Sequence, residues 1–215
     1  MKRIYYLILT LYRILKYLLS DTKRYANILF FVLMYQPKKI LEIGVYTGRR
    51  AKEMIDAAKV FNNKIEYFGF DLFEMMNKKI LKEEMSKIPN SKKNIYSKLR
   101  KSAKIRLFKG YTDNTLPKLK NTKVDFIFID GGHAVKTINS DWIKCQKFIK
   151  KNTIVVFDDY YLNDSRIIKK FGCNIVVNKI SKKLFEKRLC KLTDSFYSNY
   201  NNKVLQYKMY YVRKK

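Results

Sequence analysis

The sequence predicts a doubly wound α/β domain with a mostly parallel, seven-stranded sheet, preceded by amphipathic helices. Two observations carry this prediction. Seven short apolar runs follow one another, at 39–44 (KILEIG), 66–71 (EYFGFD), 104–110, 124–130, 153–159, 173–177 and 205–212. Longer amphipathic stretches separate the earlier runs, so these strands are covered on both faces by helices, the pattern of a parallel sheet. No strongly periodic crossover joins the last two, which predicts an antiparallel edge strand. With 215 residues and 47% hydrophobic content, the chain is long enough to bury one core.

The opening MKRIYYLILTLYRILKYLLS places Ile4, Leu7, Ile8, Leu11, Ile14, Leu15, Leu18 and Leu19 at helical spacing, with a basic opposite face. Arg13 and Lys16 interrupt the run and no small-residue cleavage site follows, so it reads neither as a secretory leader nor as a spanning helix. Two readings of residues 1–20 stand: packing on the domain, or peripheral contact with a membrane. A second helix is expected over 23–35, capped by Asp21 or Thr22 and ended by Pro37. This divides the chain into N-terminal helices, 1–35, and the α/β domain, 36–215. Within the latter, 74–102 is Lys-rich and broken at Pro89, which predicts two helices and an exposed turn.

The 47 basic residues against 18 acidic ones give a formal charge of +29. Such an excess ordinarily points to a polyanionic partner. Here, however, the excess is mostly Lys and is spread along the whole chain, whereas Arg is the better bidentate ligand for phosphate and bases. A solvated basic surface therefore ranks above nucleic-acid binding, which stays as an alternative. Cys145, Cys173 and Cys190 are odd in number and widely spaced, so neither a disulfide framework nor a zinc site is indicated; a reducing, cytoplasmic compartment fits.

In open α/β sheets, ligands bind beyond the carboxyl ends of the strands. The first strand ends in LEIGVYTG, a Glu42-x-Gly44-x-x-x-Gly48 pattern opening a helix, and the second ends at Asp71. Glycines at such a turn let a ligand approach the backbone, and an acid about 25 residues on is placed to hold ribose hydroxyls. The fourth run ends in Asp130-Gly131-Gly132-His133 and the fifth in Asp158-Asp159. On neighbouring strands, three carboxylates would converge, and a hard cation such as Mg²⁺ would satisfy them. His133, the only histidine, can face the same crevice across the Gly-Gly turn and take a proton from a hydroxyl. The plainer alternative is that Asp130 and Asp158 cap helices and His133 is incidental.

With LEIGVYTG, FGFD, FIDGGH and VVFDDY in this order, residues 36 to about 177 resemble class I S-adenosylmethionine-dependent methyltransferases. The likeness is greatest to the metal-dependent O-methyltransferases, the group of the catechol and macrolide-sugar enzymes. The resemblance implies a Rossmann-like fold, S-adenosylmethionine as cofactor and Mg²⁺ as metal. It implies that Glu42, Gly44 and Gly48 surround the methionine part and Asp71 holds the ribose. It further implies that Asp130, Asp158 and Asp159 bind the metal, with His133 as general base. The implied reaction is O-methylation of a hydroxyl on a sugar, glycan or small metabolite. An RNA methyltransferase and a non-catalytic α/β binding module are the alternatives.

Two departures from that pattern stand out. Tyr111-Thr112-Asp113 follows Gly110 where an acid is expected at once, so Asp113 is read either as the cofactor-binding substitute or as only a cap of the helix near Thr115. Arg49-Arg50 follow Gly48 where smaller residues are commoner. Tyr160 and Tyr161 are read either as walls of the acceptor site or as core, and Trp142 as core.

Overall fold

The computed structural model describes residues 2–198 and 203–215. In chain order its elements are α1 (Lys2–Leu18), α2 (Ala26–Tyr35), β1 (Lys39–Ile43), α3 (Arg49–Ala58), β2 (Glu66–Asp71), α4 (Lys78–Glu83), α5 (Lys92–Leu99), β3 (Lys104–Lys109) and α6 (Thr112–Thr115). There follow β4 (Phe126–Ile129), α7 (Val135–Cys145), β5 (Ile154–Tyr161), α8 (Ser165–Lys170), α9 (Asn174–Lys179), β6 (Phe185–Ser198) and β7 (Lys203–Lys214). A 3-10 turn over Lys23–Tyr25 leads into α2. The break at Pro89 separates α4 from α5, where Ser91 caps α5 by accepting from the Asn94 amide.

The sheet order is β3-β2-β1-β4-β5-β7-β6. The first five strands pair in parallel, whereas β7 runs antiparallel to both of its neighbours, β5 and β6. This is the Rossmann-like sheet predicted, turning antiparallel at the expected side. One strand differs. The run at 173–177 forms the start of α9, and the outer strand is β6. An apolar run of five residues has no periodicity to separate strand from helix. Here Val176 and Val177 enter the core on the side of α7. The edge is left to β6, whose mixed charges suit a half-solvated position.

Side chains alternate along each strand and build two cores. Ile40, Phe126, Phe128, Ile154 and Val156 pack with α2 and α3 on one face. Leu41, Ile43, Ile127, Ile129, Val155 and Phe157 pack with α7 and α9 on the other. Helix α1 touches α2 and α3 through Thr10, Ile14 and Tyr17, all buried. Polar ties reinforce this seam: Arg13 reaches Asp56 at 2.9 Å, and the Tyr17 hydroxyl donates to Glu53 at 2.8 Å. The remaining apolar stripe of α1, which includes Ile4, Ile8, Leu11 and Leu15, faces outward.

A register shift interrupts β5 between Phe157 and Tyr160, with Asp159 at φ +56°. Asp tolerates this left-handed conformation better than most residues, at a cost of about 1 kcal/mol. The irregularity re-aims two consecutive carboxylates where regular alternation would send them to opposite faces.

Candidate active site

Beyond the carboxyl ends of β1, β2, β4 and β5 lies a cavity of about 770 Å³. Gly44, Asp71, Asp113, Asp130, His133 and Asp159 all line it. Glu42 and Gly48, expected beside the methionine part of a cofactor, do not. Alternation along β1 turns Glu42 into the helix-covered face, where its carboxylate accepts from the Tyr67 hydroxyl and its other oxygen has no partner among the described residues. Burial pushes the Glu42 carboxyl up to about 8. Gly48 instead supplies a left-handed residue, φ +70°, at the start of α3.

At Gly44, which lines the cavity, packing also requires a glycine. At φ +88°, a Cβ there would lie 1.9 Å from the Asp130 carbonyl oxygen, so the glycine lets β1 and β4 close together under the cavity. Asp71 organises the next turn. One of its oxygens accepts from the amides of Val45 and Tyr46, both at 2.8 Å, and the other from the Phe73 amide at 3.2 Å.

Because β4 pairs with β5 up to Ile129 and Phe157, Asp130 comes to stand beside Asp158 and Asp159. The three carboxylates do not, however, form one open cluster. Arg24, from the turn before α2, lies among them. It donates to Asp158 through Nε at 2.6 Å and a terminal nitrogen at 2.7 Å, and to Asp194 of β6 at 2.6 Å. Burial alone would raise the Asp158 carboxyl, but the Arg24 charge and hydrogen bonds outweigh it and hold the group below its usual range. Asp158 is therefore engaged by a guanidinium. The remaining set is Asp130, His133 and Asp159, whose ligand atoms all lie within 4.8 Å of one another. Burial first, and then the neighbouring carboxylates, push Asp130 well up and Asp159 up as well.

The His133 loop is fixed from below. Its Nδ1 lies 3.1 Å from the Met85 carbonyl, which can only accept, so Nδ1 carries the proton and donates. Nε2 then faces Asp159 at 3.2 Å. Glu84 caps α7, accepting from the Ala134 amide at 3.0 Å and the Thr137 hydroxyl at 2.7 Å. A Cβ at Gly132 would lie 2.4 Å from Glu84 Oε2, so the Gly-Gly turn is where α4's end presses on the loop.

The acid expected after Gly110 lies at the edge of the cavity. Asp113 sits exposed on the rim, its carboxylate held below the usual range by a hydrogen bond from Lys144 and another from Ser140, each at 2.7 Å. Nearby on α7, Asp141 is 1% exposed, lines the cavity, and has no hydrogen-bond partner for either oxygen among the described residues. Burial pushes it up to about 7, with Thr112 the main polar influence against that rise. Neither Arg24 nor Asp141 was singled out by motif. Asp141 stood inside an amphipathic helix pattern, although a lone acid on the apolar side of that pattern was a usable signal.

A family described as a methyltransferase domain matches residues 41–160, more than half of the chain. The chain belongs to this family. It is an S-adenosylmethionine-dependent methyltransferase with the class I fold. No curated protein matches its sequence at a significant level. Among solved structures, the O-methyltransferase NovP is 16% identical, with a TM-score of 0.62 over 90% of this chain and 80% of its own. An O-methyltransferase from Bacillus cereus, in complex with SAH, is 13% identical, with a TM-score of 0.57 over 99% and 90%. A precorrin-6y C5,15-methyltransferase from Geobacter metallireducens is 13% identical, with a TM-score of 0.55 over 89% and 87%. At such identities the likeness is one of fold.

In this methyltransferase the lining of the cavity also includes aromatic side chains. Tyr25, Tyr161, Phe196 and Tyr207 line it together with Arg24 and Lys87. Tyr160, by contrast, lies outside this lining and stacks on Tyr210 at 5.3 Å. The guanidinium of Arg24 is sandwiched by Tyr25 and Tyr207, at 4.2 and 4.3 Å from the ring centroids.

Proposed function

We propose that the methyltransferase moves a methyl group from S-adenosylmethionine to a hydroxyl oxygen on a sugar, glycan or other small metabolite, with a divalent cation such as Mg²⁺ assisting. The observation that carries this reading is the grouping of Asp130, His133 and Asp159 in the cavity that Gly44, Asp71 and several aromatic side chains also line. Two carboxylates raised by burial and mutual repulsion are a donor set that a hard cation relieves. When bound, such a cation supplies Lewis-acid polarisation of a hydroxyl.

The chain's own residues then divide the work. Gly44 and the turn held by Asp71 receive the methionine and ribose, Asp71 keeping lone pairs free for hydroxyl donors. Asp141, in place of Asp113, receives the adenine amino group on its unpaired oxygens. His133, whose ring is oriented by the Nδ1 hydrogen bond to the Met85 carbonyl, offers Nε2 to the acceptor's proton. Tyr161 and Tyr207 give a sugar or aromatic acceptor flat walls, while the acidic cluster in the cavity repels a polyanion. The likeness to NovP and the Bacillus cereus protein, both O-methyltransferases, supports the choice of oxygen as acceptor atom.

Calorimetry tests this reading with SAH, with and without Mg²⁺, on the wild type and on Asp159→Asn. Asn keeps the left-handed backbone while removing a charge. The expected result is SAH binding in both proteins and a Mg²⁺ effect in the wild type alone. Absence of SAH binding to the wild type overturns the cofactor assignment, and SAH binding indifferent to Mg²⁺ overturns the metal.

A further inference from the structure

Helix α1 turns its apolar side away from the protein. Ile4, Leu7, Ile8, Leu11, Leu15 and Leu19 are between 37% and 80% exposed. At 3.6 residues per turn they form, with Tyr5 and Tyr12, one unbroken arc of roughly 160° around the helix. The buried side is the opposite one, centred on Thr10, Ile14 and Tyr17. Exposed apolar patches of this extent mark an interaction surface. On α2, packed against α1, Phe30 and Met34 are exposed as well.

Charge identifies the partner. Residues 1–20 contain no acid, and of their four basic residues Lys2, Arg3 and Lys16 are exposed while Arg13 pairs with Asp56, within a chain of formal charge +29. Two copies meeting through this face would bring like charges together, whereas an anionic surface attracts them. No helix among the described residues is long and apolar enough to cross a membrane. The 17 residues of α1 instead give a rod of about 26 Å suited to lying in the interface. We propose that α1 is an interfacial helix that docks the protein on an anionic bilayer. This inference is independent of the acceptor chemistry.

Flotation of the full chain with vesicles tests it, comparing phosphatidylcholine alone with phosphatidylcholine containing about one third phosphatidylglycerol. The wild type is expected to float with the anionic vesicles, to bind neutral ones at least about tenfold more weakly, and to be released by salt. Leu11→Glu/Leu15→Glu is expected to lose at least about tenfold in anionic binding, while its circular dichroism melt and SAH affinity stay unchanged. Lys2→Glu/Lys16→Glu, which keeps the apolar arc, is expected to weaken binding too. Failure of the wild type to float, or equal flotation of the Leu variant, overturns the proposal. A wild-type dimer that the Leu variant splits, with no vesicle binding by either, overturns it in favour of a second copy.

Discussion

Arg24 and Asp158, 134 positions apart, form a two-point hydrogen-bonded ion pair in which both partners are buried. The pair joins the N-terminal segment to the floor of the active site. It also decides which carboxylates remain for a cation.

Removing one partner of such a pair leaves an uncompensated buried charge. Arg24→Met is expected to lower stability by about 3–5 kcal/mol in denaturant unfolding at neutral pH. Adding Asp158→Asn to it should restore part of the loss. The sign with pH follows from Asp158, whose folded pKa is depressed: its stabilising contribution is present above the unfolded value near 4 and is lost as pH falls through the folded one. Arg24→Met should therefore lose less stability than the wild type when both are acidified.

His133→Gln is expected to cut turnover by about 10²- to 10⁴-fold, while SAH affinity measured by calorimetry stays nearly unchanged. Retained turnover would remove the base role from His133.

Asp141 titrates in a range that an experiment can reach. Its folded pKa of about 7 lies above the unfolded value near 4, so the folded state holds its proton longer. Stability conferred at this site is full at low pH and falls as pH rises from about 4 to about 7, by up to a few kcal/mol. Glu42 acts with the same sign up to about 8. In Asp141→Asn the slope of melting temperature against pH across that window should flatten, and Glu42→Gln should flatten it further toward pH 8. If Asp141 receives the adenine amine, the same Asn variant should also weaken SAH about tenfold at pH 8, an effect that Glu42→Gln should not share.

Gly44→Ala places a methyl group against a backbone carbonyl that cannot move alone, and its φ is left-handed besides. A cost of about 3 kcal/mol or more is expected, read by denaturant unfolding, together with weaker SAH binding. At Gly132 the obstacle is the end of the Glu84 side chain, so Gly132→Ala should cost less stability but disturb the His133 loop.

Strands β1 to β5 were legible because each is buried on both faces and so reads as a continuous apolar run. The far side was harder: β6 carries Glu186, Lys187, Arg188, Lys191 and Asp194 on an edge where no apolar run is required. Asp130, His133 and Asp159 could be grouped from sequence because they follow strands that the fold makes neighbours. The pairing of Asp158 could not, since it depends on Arg24 in a segment without a motif and on a bulge that changes where consecutive side chains point. Asp71 was placed correctly at the cavity, but its bonds to the Val45 and Tyr46 amides depend on turn geometry that residue spacing does not encode.

The lining of the cavity comes from different parts of the chain. Gly44, Asp71, Asp130 and Asp141 lie within 41–160, the stretch shared with the family, whereas Arg24, Tyr25, Phe196 and Tyr207 lie outside it. Under the proposed reading, the parts that handle the cofactor and those that choose the acceptor are thus free to vary separately. Exchanging the flanks between relatives is then a route to new acceptors, with one condition: whatever replaces residue 24 must still balance the charges of Asp158 and Asp194.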